Sequence, residues 1–95
     1  MVRVASDLAP LMPRFLANRR SEVSQLEAAL AQQDNATLRR IAHGMKGVGG
    51  GYGFDEITRL GAEIERCAEA GISESARPFV TALKRYLECV DVVFE

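Results

Sequence analysis

One stretch of the chain, residues 41–54 with the sequence IAHGMKGVGGGYGF, constrains the fold more than any other. Apolar residues recur through it and just before it at spacings of three and four, the period of one helix face. They are Leu38, Ile41, Met45, Val48 and Tyr52. At roughly 100° per residue these five cluster within about 80°, and His43 falls roughly opposite their centre. The spacing therefore predicts a helix that packs by this apolar stripe and presents His43 to solvent.

The predicted outward face around His43, the only histidine, combines cations with glycines. Residues one or two helical turns away share a face with it, and those positions hold Arg39, Arg40, Lys46, Gly47 and Gly50. An interior glycine costs about 1 kcal/mol of helix stability relative to alanine, so several of them need a reason. We interpret them as access: bare backbone beside the imidazole lets a large partner approach, and the cations indicate an anionic one. An exposed histidine without a special role is the alternative that spacing alone leaves open.

The rest of the chain also has a helical pattern. It contains no alternating β-branched run and no Asn-Gly or Asp-Gly turn, so no strand is predicted. The apolar stripes and turn residues predict five helical segments. A short N-terminal helix begins at Asp7, a long helix runs through Leu30, and the His43 helix ends around Tyr52 or Gly53. A third helix is N-capped by Asp55 and ends before Gly71, and the last helix has Pro78 in its first turn. The expected fold class is all-α: an antiparallel up-down-up-down four-helix bundle with a short extra N-terminal helix.

The same spacing predicts how several side chains pack. One side of the long first helix is expected to bury Leu11, Phe15, Leu16, Val23, Leu26 and Leu30. The other side is expected to be a solvated face with Arg14, Arg19, Arg20, Glu22 and Gln25. In the third helix, Arg59 and Glu63 are four residues apart and are predicted to pair. Gly61 lies on the apolar stripe of that helix and would permit close contact with a neighbouring helix.

Length and composition limit the classes of protein that fit. A chain of 95 residues forms one domain, residues 1–95. A formal net charge of −1 gives no general attraction to nucleic acid or to an anionic membrane. No segment resembles a membrane span or a signal peptide, so we expect a cytoplasmic protein without membrane insertion. Cys67 and Cys89 are then expected to be buried free thiols, and one histidine without a CxxC pair does not predict a metal site.

The segment His43-Gly44-Met45-Lys46-Gly47, followed after five residues by Gly53, resembles the HxLKGxxxxxG core motif of histidine-containing phosphotransfer (HPt) domains. The resemblance extends to flanking positions, namely Leu38, Ile41, Ala42, Phe54, Ile57, Leu60, Ile64 and Glu65. Met45 stands where the family has leucine, a volume-conserving change. Val48 and the glycines at 49–51 replace small polar residues often found there, which we expect to loosen the last turns of the helix.

The resemblance implies that His43 is phosphorylated, through Nε2, and exchanges its phosphoryl group with an aspartate of a response-regulator receiver domain. A hybrid histidine kinase is the other implied partner, and the Mg²⁺ is expected on the receiver, with no cofactor bound by this domain. A neutral imidazole near its pKa of about 6.5 is a competent nucleophile, and Lys46 would offset charge on the transferred group. Gly47 would keep the ring accessible. Partner contact is assigned to Arg39, Arg40, Gly44 and Gly50, with Leu16, Ala42 or Tyr52 as candidates for an apolar rim.

The glycines do not form a nucleotide-binding loop, because the order of the residues and the surrounding secondary structure are both wrong for one. A P-loop needs GxxxxGK[ST] after a strand, whereas Lys46 precedes its glycine and no strand is predicted. Without an ATP-binding module the chain is expected to be a phosphotransfer intermediate rather than an autonomous kinase. The alternative that remains is a non-catalytic helical adaptor that docks a signalling partner through the basic face around His43. Replacing His43 by glutamine separates the two, since only the phosphorelay function depends on the ring.

Overall fold

The computed structural model describes residues 2–94, and four α-helices make up most of them. The helices are α1 (Met12–Ala31), α2 (Asn35–Gly51), α3 (Asp55–Glu69) and α4 (Arg77–Cys89). A 3-10 helix at Ser6–Leu11 precedes α1, and another at Ser73–Ala76 precedes α4. Two short strands, β1 (Val2–Val4) and β2 (Val92–Phe94), complete the described chain. The predicted all-helical bundle is confirmed in its four helices.

The helix that carries the histidine has well-defined ends. At its start, the Asp34 carboxylate accepts hydrogen bonds from the Thr37 amide at 3.1 Å and from the Thr37 hydroxyl at 2.6 Å, which satisfies a backbone donor that the first turn leaves free. At its end, Gly53 adopts a φ of 83°, which glycine tolerates without steric cost. The chain then re-enters a helix at once, because α3 begins at Asp55 with Phe54 as its N-cap. The prediction that Asp55 itself caps α3 is therefore wrong by one residue.

The prediction that the chain lacks strands is also wrong. β1 and β2 pair in parallel, with Val2 opposite Val92 and Val4 opposite Phe94. The carbonyl of Arg3 approaches the α2–α3 loop so closely that a side chain on Gly53 would begin 3.4 Å from it. Strands of three residues are too short to produce a readable alternation of apolar and polar positions. Their pairing holds the two ends of the described chain together beside that loop.

The core is one continuous apolar cluster to which all four helices contribute. Its largest fully buried side chains include Leu26 from α1, Leu38 and Met45 from α2, Ile57 and Ile64 from α3, and Leu83 and Leu87 from α4. Phe54, from the α2–α3 loop, is fully buried, and its ring stacks on that of Phe15 with centroids 5.0 Å apart. The α2–α3 loop is thus anchored in the core, which fixes the position of the end of α2.

Helices α2 and α3 approach each other closely at Gly61. A side chain at this position would begin only 3.1 Å from the Ala42 carbonyl oxygen and from the Lys46 backbone nitrogen. Such distances are shorter than ordinary van der Waals contact. The close contact predicted at Gly61 is therefore confirmed, and it involves the turn of α2 that contains His43.

Several predicted surface details differ from the structure. Arg19 is buried rather than solvated, because its guanidinium lies 4.8 Å from the centre of the Phe15 ring and pairs with Glu22. A cation over an aromatic face is a favourable contact that covers apolar surface. Arg59 pairs with Glu56 through bonds of 2.7 and 2.8 Å, not with Glu63.

The predicted burial of the cysteines is wrong. Both are free thiols, but Cys89 is exposed at the end of α4 and Cys67 is only half-buried. Neither thiol is fully enclosed by apolar side chains.

Among the helices of residues 2–94, none is long and apolar enough to cross a membrane.

Candidate functional site

His43 lies near the middle of α2, on the face that points away from the core, as the helical spacing predicts. Its side chain is 67% exposed. Leu38, Ile41 and Met45 of the same helix are buried on the opposite side. The core therefore fixes the rotation of α2, and this rotation puts the imidazole at the surface.

A carboxylate on the neighbouring helix holds the ring. Oε2 of Glu65, in α3, lies 2.7 Å from Nδ1 of His43. Its other oxygen, Oε1, accepts a hydrogen bond from Nζ of Lys46, also at 2.7 Å. The Glu65 side chain is only 9% exposed, while that of Lys46 is 37% exposed. One nearly buried carboxylate thus bridges the histidine and the lysine of the predicted motif.

This bridge keeps Glu65 ionised. The hydrogen bond from Lys46, and after it the one from His43, hold the pKa of Glu65 below its ordinary value, while burial acts in the opposite direction. An ionised carboxylate has no hydrogen to give and can only accept. The hydrogen in the contact therefore belongs to Nδ1, and a neutral His43 keeps the lone pair of Nε2 free. In many histidine sites, a hydrogen bond made by one ring nitrogen determines the tautomer and so the state of the other nitrogen.

The role of Glu65 was missed from sequence, although the residue lies within the recognised motif region. The available signal was its position, four residues after Gly61 on the buried face of α3. A charged residue on an apolar stripe is rarely buried without a partner. The sequence alone did not show that the partners lie on α2.

Bare backbone adjoins the ring on the side away from α3. A side chain added at Gly44, Gly47 or Gly51 would meet nothing within 4 Å. Counting about 100° per residue, these three lie roughly between His43 and Val48 around the helix. Packing inside the molecule therefore gives no reason for glycine at these positions. Gly50 differs from them, since it faces α3 and its side chain would begin 3.6 Å from the Thr58 hydroxyl.

An apolar groove follows next around the helix, where the end of α2 meets the start of α1. We call it the Leu11–Val48 groove; its lining includes Leu11, Arg14, Phe15, Val48 and Tyr52. Leu11 is 48% exposed and Val48 is 36% exposed, although sequence reasoning assigned both to buried stripes. A groove of this kind depends on how two helices pack, which helical spacing within either one does not show.

The residues proposed for an apolar rim are placed differently from one another. Tyr52 lines the Leu11–Val48 groove, and its ring packs on Phe15 with centroids 4.6 Å apart. Leu16 is half-buried against the core. Ala42 is fully buried beneath Gly61 and cannot touch a partner, so that assignment is wrong.

The cations around His43 are partly neutralised by α3. Arg39 lies 3.7 Å from Glu69, with both side chains about half exposed, and Lys46 is held by Glu65. An exposed pair such as Arg39–Glu69 contributes little stability, so Arg39 can exchange Glu69 for another anionic partner. Arg40 is exposed on the outer face of α2. The pKa of Asp34 is lowered mainly by the hydrogen bonds from Thr37, and the charge of Arg40 adds to the effect. Within residues 2–94, no three His, Cys, Asp or Glu side chains are close enough to hold a metal ion.

These features define a class of protein: a small helical bundle that presents one imidazole at its surface, oriented by a nearly buried carboxylate and flanked by an ammonium group. A family model described as "Hpt domain" matches residues 11–91, so the chain belongs to the Hpt domain family. No curated protein and no solved structure matches the chain. Membership implies histidine phosphotransfer in phosphorelays, with partners such as receiver domains and kinases.

Proposed function

We propose that this domain, comprising residues 1–95, carries a phosphoryl group on Nε2 of His43 between aspartates of response-regulator receiver domains. The observation that carries the proposal is the 2.7 Å contact between Nδ1 and the Glu65 carboxylate. In the neutral ring this contact places the hydrogen on Nδ1, which leaves Nε2 unprotonated on an imidazole that is 67% exposed. A nucleophile for a bulky donor needs both properties.

The proposed step needs no base at the moment of attack. The Nε2 lone pair attacks the phosphorus of the receiver's aspartyl phosphate, the N–P bond forms, and the aspartate leaves as a free carboxylate. The ring becomes a phosphorylated imidazolium that keeps its hydrogen on Nδ1, and the negative charge of Glu65 stabilises it. In the reverse step a receiver carboxylate attacks the same phosphorus, and neutral His43 is restored.

Lys46 is proposed to stabilise the charge of the transferred group. Its ammonium already neighbours His43, because both bind the same carboxylate. A mobile ammonium can turn toward phosphoryl oxygens while its stem stays in place. We propose that the domain binds no cofactor and that the Mg²⁺ of the reaction is held by the receiver.

The docking surface is proposed to extend from His43 across Gly44 and Gly47 to the Leu11–Val48 groove. Bare backbone would let the rim of a receiver site reach the ring, and the exposed Leu11 and Val48 would supply apolar contact. Arg39 and Arg40 would attract an acidic receiver surface and speed encounter. Gly50, on the side toward α3, would border this surface rather than lie at its centre. A hybrid histidine kinase is the proposed source of the phosphoryl group, and the cytoplasm the proposed location.

We also infer the arrangement of the bundle as antiparallel, up-down-up-down. Contacts between α2 and α3 join Arg39 to Glu69 at one end and Lys46 to Thr58 nearer the other. Helices joined by short loops favour this arrangement. The 3-10 helix at Ser6–Leu11 occupies the place of the proposed extra N-terminal helix.

The test is phosphoryl transfer from a receiver domain labelled on its aspartate, in the presence of Mg²⁺. We expect the wild-type protein to take up label that is lost in acid and kept in alkali, as a phosphorus–nitrogen bond requires. The His43→Gln variant should fold, bind the receiver and remain unlabelled. Binding without any labelling of the wild type would contradict the proposal and favour the adaptor.

A further inference from the structure

Helix α3 contacts Lys46 at three points. The Thr58 hydroxyl donates a hydrogen bond to the Lys46 carbonyl at 3.0 Å. Gly61 lies against the Lys46 main chain, where a side chain would begin 3.1 Å from its nitrogen and 3.3 Å from its Cα. Glu65 accepts the hydrogen bond from Nζ. These three residues are spaced by three and four, so they share one face of α3.

The bond from Thr58 depends on a glycine in the facing helix. A side chain at Gly49 would begin 2.9 Å from the Thr58 hydroxyl oxygen and 3.1 Å from the Ile57 side chain. Any larger residue at that position would force the Thr58 side chain or the helix that carries it to move. This one contact therefore depends on residues of both helices. We take it as a specific feature of the interface between α2 and α3 and not as an incidental contact of a surface threonine.

The hydrogen bond from Thr58 is significant because of where it lies along α2. In a helix the Lys46 carbonyl accepts the amide four residues later, that of Gly50, and its second lone pair remains free for Thr58. Beyond Lys46 the helix is rich in glycine, which favours local opening. Before it lies the turn that holds His43. Thr58 thus binds α2 at the boundary between its weakest part and its reactive part.

We propose that Thr58 is a positioning residue for phosphoryl transfer, acting through Lys46. By binding the Lys46 carbonyl, it keeps opening of the glycine-rich end from reaching the turn that carries His43 and Lys46. The Lys46 ammonium then stays at the position along α2 where it can contact both Glu65 and the incoming phosphoryl group. This inference rests on the proposed phosphotransfer function.

The test compares Thr58→Val, which removes the hydroxyl at nearly constant shape, with Thr58→Ser, which keeps it. At saturating phosphorylated receiver, Thr58→Val should transfer about fivefold more slowly, the change expected for one lost neutral hydrogen bond. The concentration of receiver giving half-maximal rate should stay the same. Thr58→Ser should restore the wild-type rate.

A second measurement separates positioning from general loss of stability. Amide hydrogen exchange at Gly50 should be faster in Thr58→Val than in wild type and normal in Thr58→Ser, without any receiver present. Val80→Ala is the matched control, since Val80 is buried in α4, a different helix from those that carry Lys46 and Thr58. It should lower overall stability while leaving both the transfer rate and the relative exchange at Gly50 unchanged.

Three results would overturn the inference: a wild-type transfer rate in Thr58→Val, an equal loss in Thr58→Ser, or an equal loss in Val80→Ala. Failure of the proposed function has a different signature, because the wild-type protein itself would then remain unlabelled. In that case the exchange measurement still tests the structural claim that Thr58 restrains α2 at Lys46. An unchanged exchange rate at Gly50 in Thr58→Val would reject that claim.

Discussion

At the scale of single residues, Glu65 determines what His43 can do. It is nearly buried, it is ionised because Lys46 and His43 donate to it, and it determines which ring nitrogen carries hydrogen. A histidine without such a partner would share the hydrogen between both nitrogens. Under the proposed function, exposure makes the ring available to a partner, and the carboxylate leaves Nε2 as the nitrogen that can act as the nucleophile.

Replacing Glu65 by alanine should therefore impair chemistry more than binding. We expect the transfer rate to fall by about tenfold to a hundredfold, by analogy with the loss seen when the partner that orients a metal-binding histidine is removed. ¹⁵N spectra of the imidazole should show hydrogen on both ring nitrogens. Glu63→Ala is the control, since Glu63 lies on α3 but pairs with Arg66 at the surface. A wild-type imidazole spectrum in Glu65→Ala would contradict the orienting role.

Lys46→Ala should slow transfer without unfolding the protein. Its side chain is 37% exposed and its ammonium binds Glu65, so its loss is expected to remove charge stabilisation more than packing. A change of about tenfold is reasonable for one positioned charge. The chain's other lysine, Lys84, pairs loosely with Glu27 at 3.7 Å, and Lys84→Ala should transfer at the wild-type rate. Equal rates for both variants would remove Lys46 from the mechanism.

At the scale of elements, α2 combines two kinds of glycine. Gly49 is required by its contact with α3, whereas Gly44, Gly47 and Gly51 face open space. The second kind weakens the helix without any gain inside the molecule. A stability cost without an internal benefit is typical of functional surfaces, which is why we assign this face of α2 to docking.

Gly47→Leu should separate stability from function. With nothing within 4 Å of the added side chain, the free energy of unfolding should rise by roughly 0.5–1 kcal/mol through helix propensity. Docking should nevertheless be blocked, because the leucine occupies the space beside His43. Ala82→Leu, on the exposed side of α4, is the control and should dock normally. Denaturation and transfer assays together check this, and a Gly47→Leu variant that transfers normally would reject the access argument.

The sequence predicted elements better than contacts between them. Four helices and an outward His43 followed from the spacing of apolar residues, because one helix face repeats every three or four positions. The strands escaped prediction because three residues cannot show a period. The Leu11–Val48 groove and the bridge from Glu65 to α2 arise only when two helices meet, so neither leaves a signal within one helix. Arg19 was misassigned because its long side chain reaches the Phe15 ring from a position that looks solvated.

At the scale of the whole molecule, stability and the state of the site are linked through pH. The pKa of Glu65 is lowered in the folded protein, as are those of Asp34, Glu56 and Glu74, each mainly by a hydrogen bond from a neighbouring side chain. A group whose pKa is lower in the folded state stabilises the fold above its unfolded pKa. That contribution is lost as pH falls through the folded value. Acid should therefore weaken the fold and the site together.

Glu65→Gln isolates the part of this acid response that belongs to the site. Near neutral pH the variant should be less stable than wild type by about 1 kcal/mol, because a neutral amide is a weaker partner for Lys46 and His43 than a carboxylate. The difference should begin to shrink as pH falls below 4.5, the ordinary value for glutamate, and the two proteins should converge in stability once pH passes through the lower pKa of Glu65 in the folded protein. The other three carboxylates titrate alike in both and cancel from the difference. Urea denaturation at a series of pH values measures this, and a stability difference that stays constant into acid would show that the Glu65 charge does not stabilise the folded site.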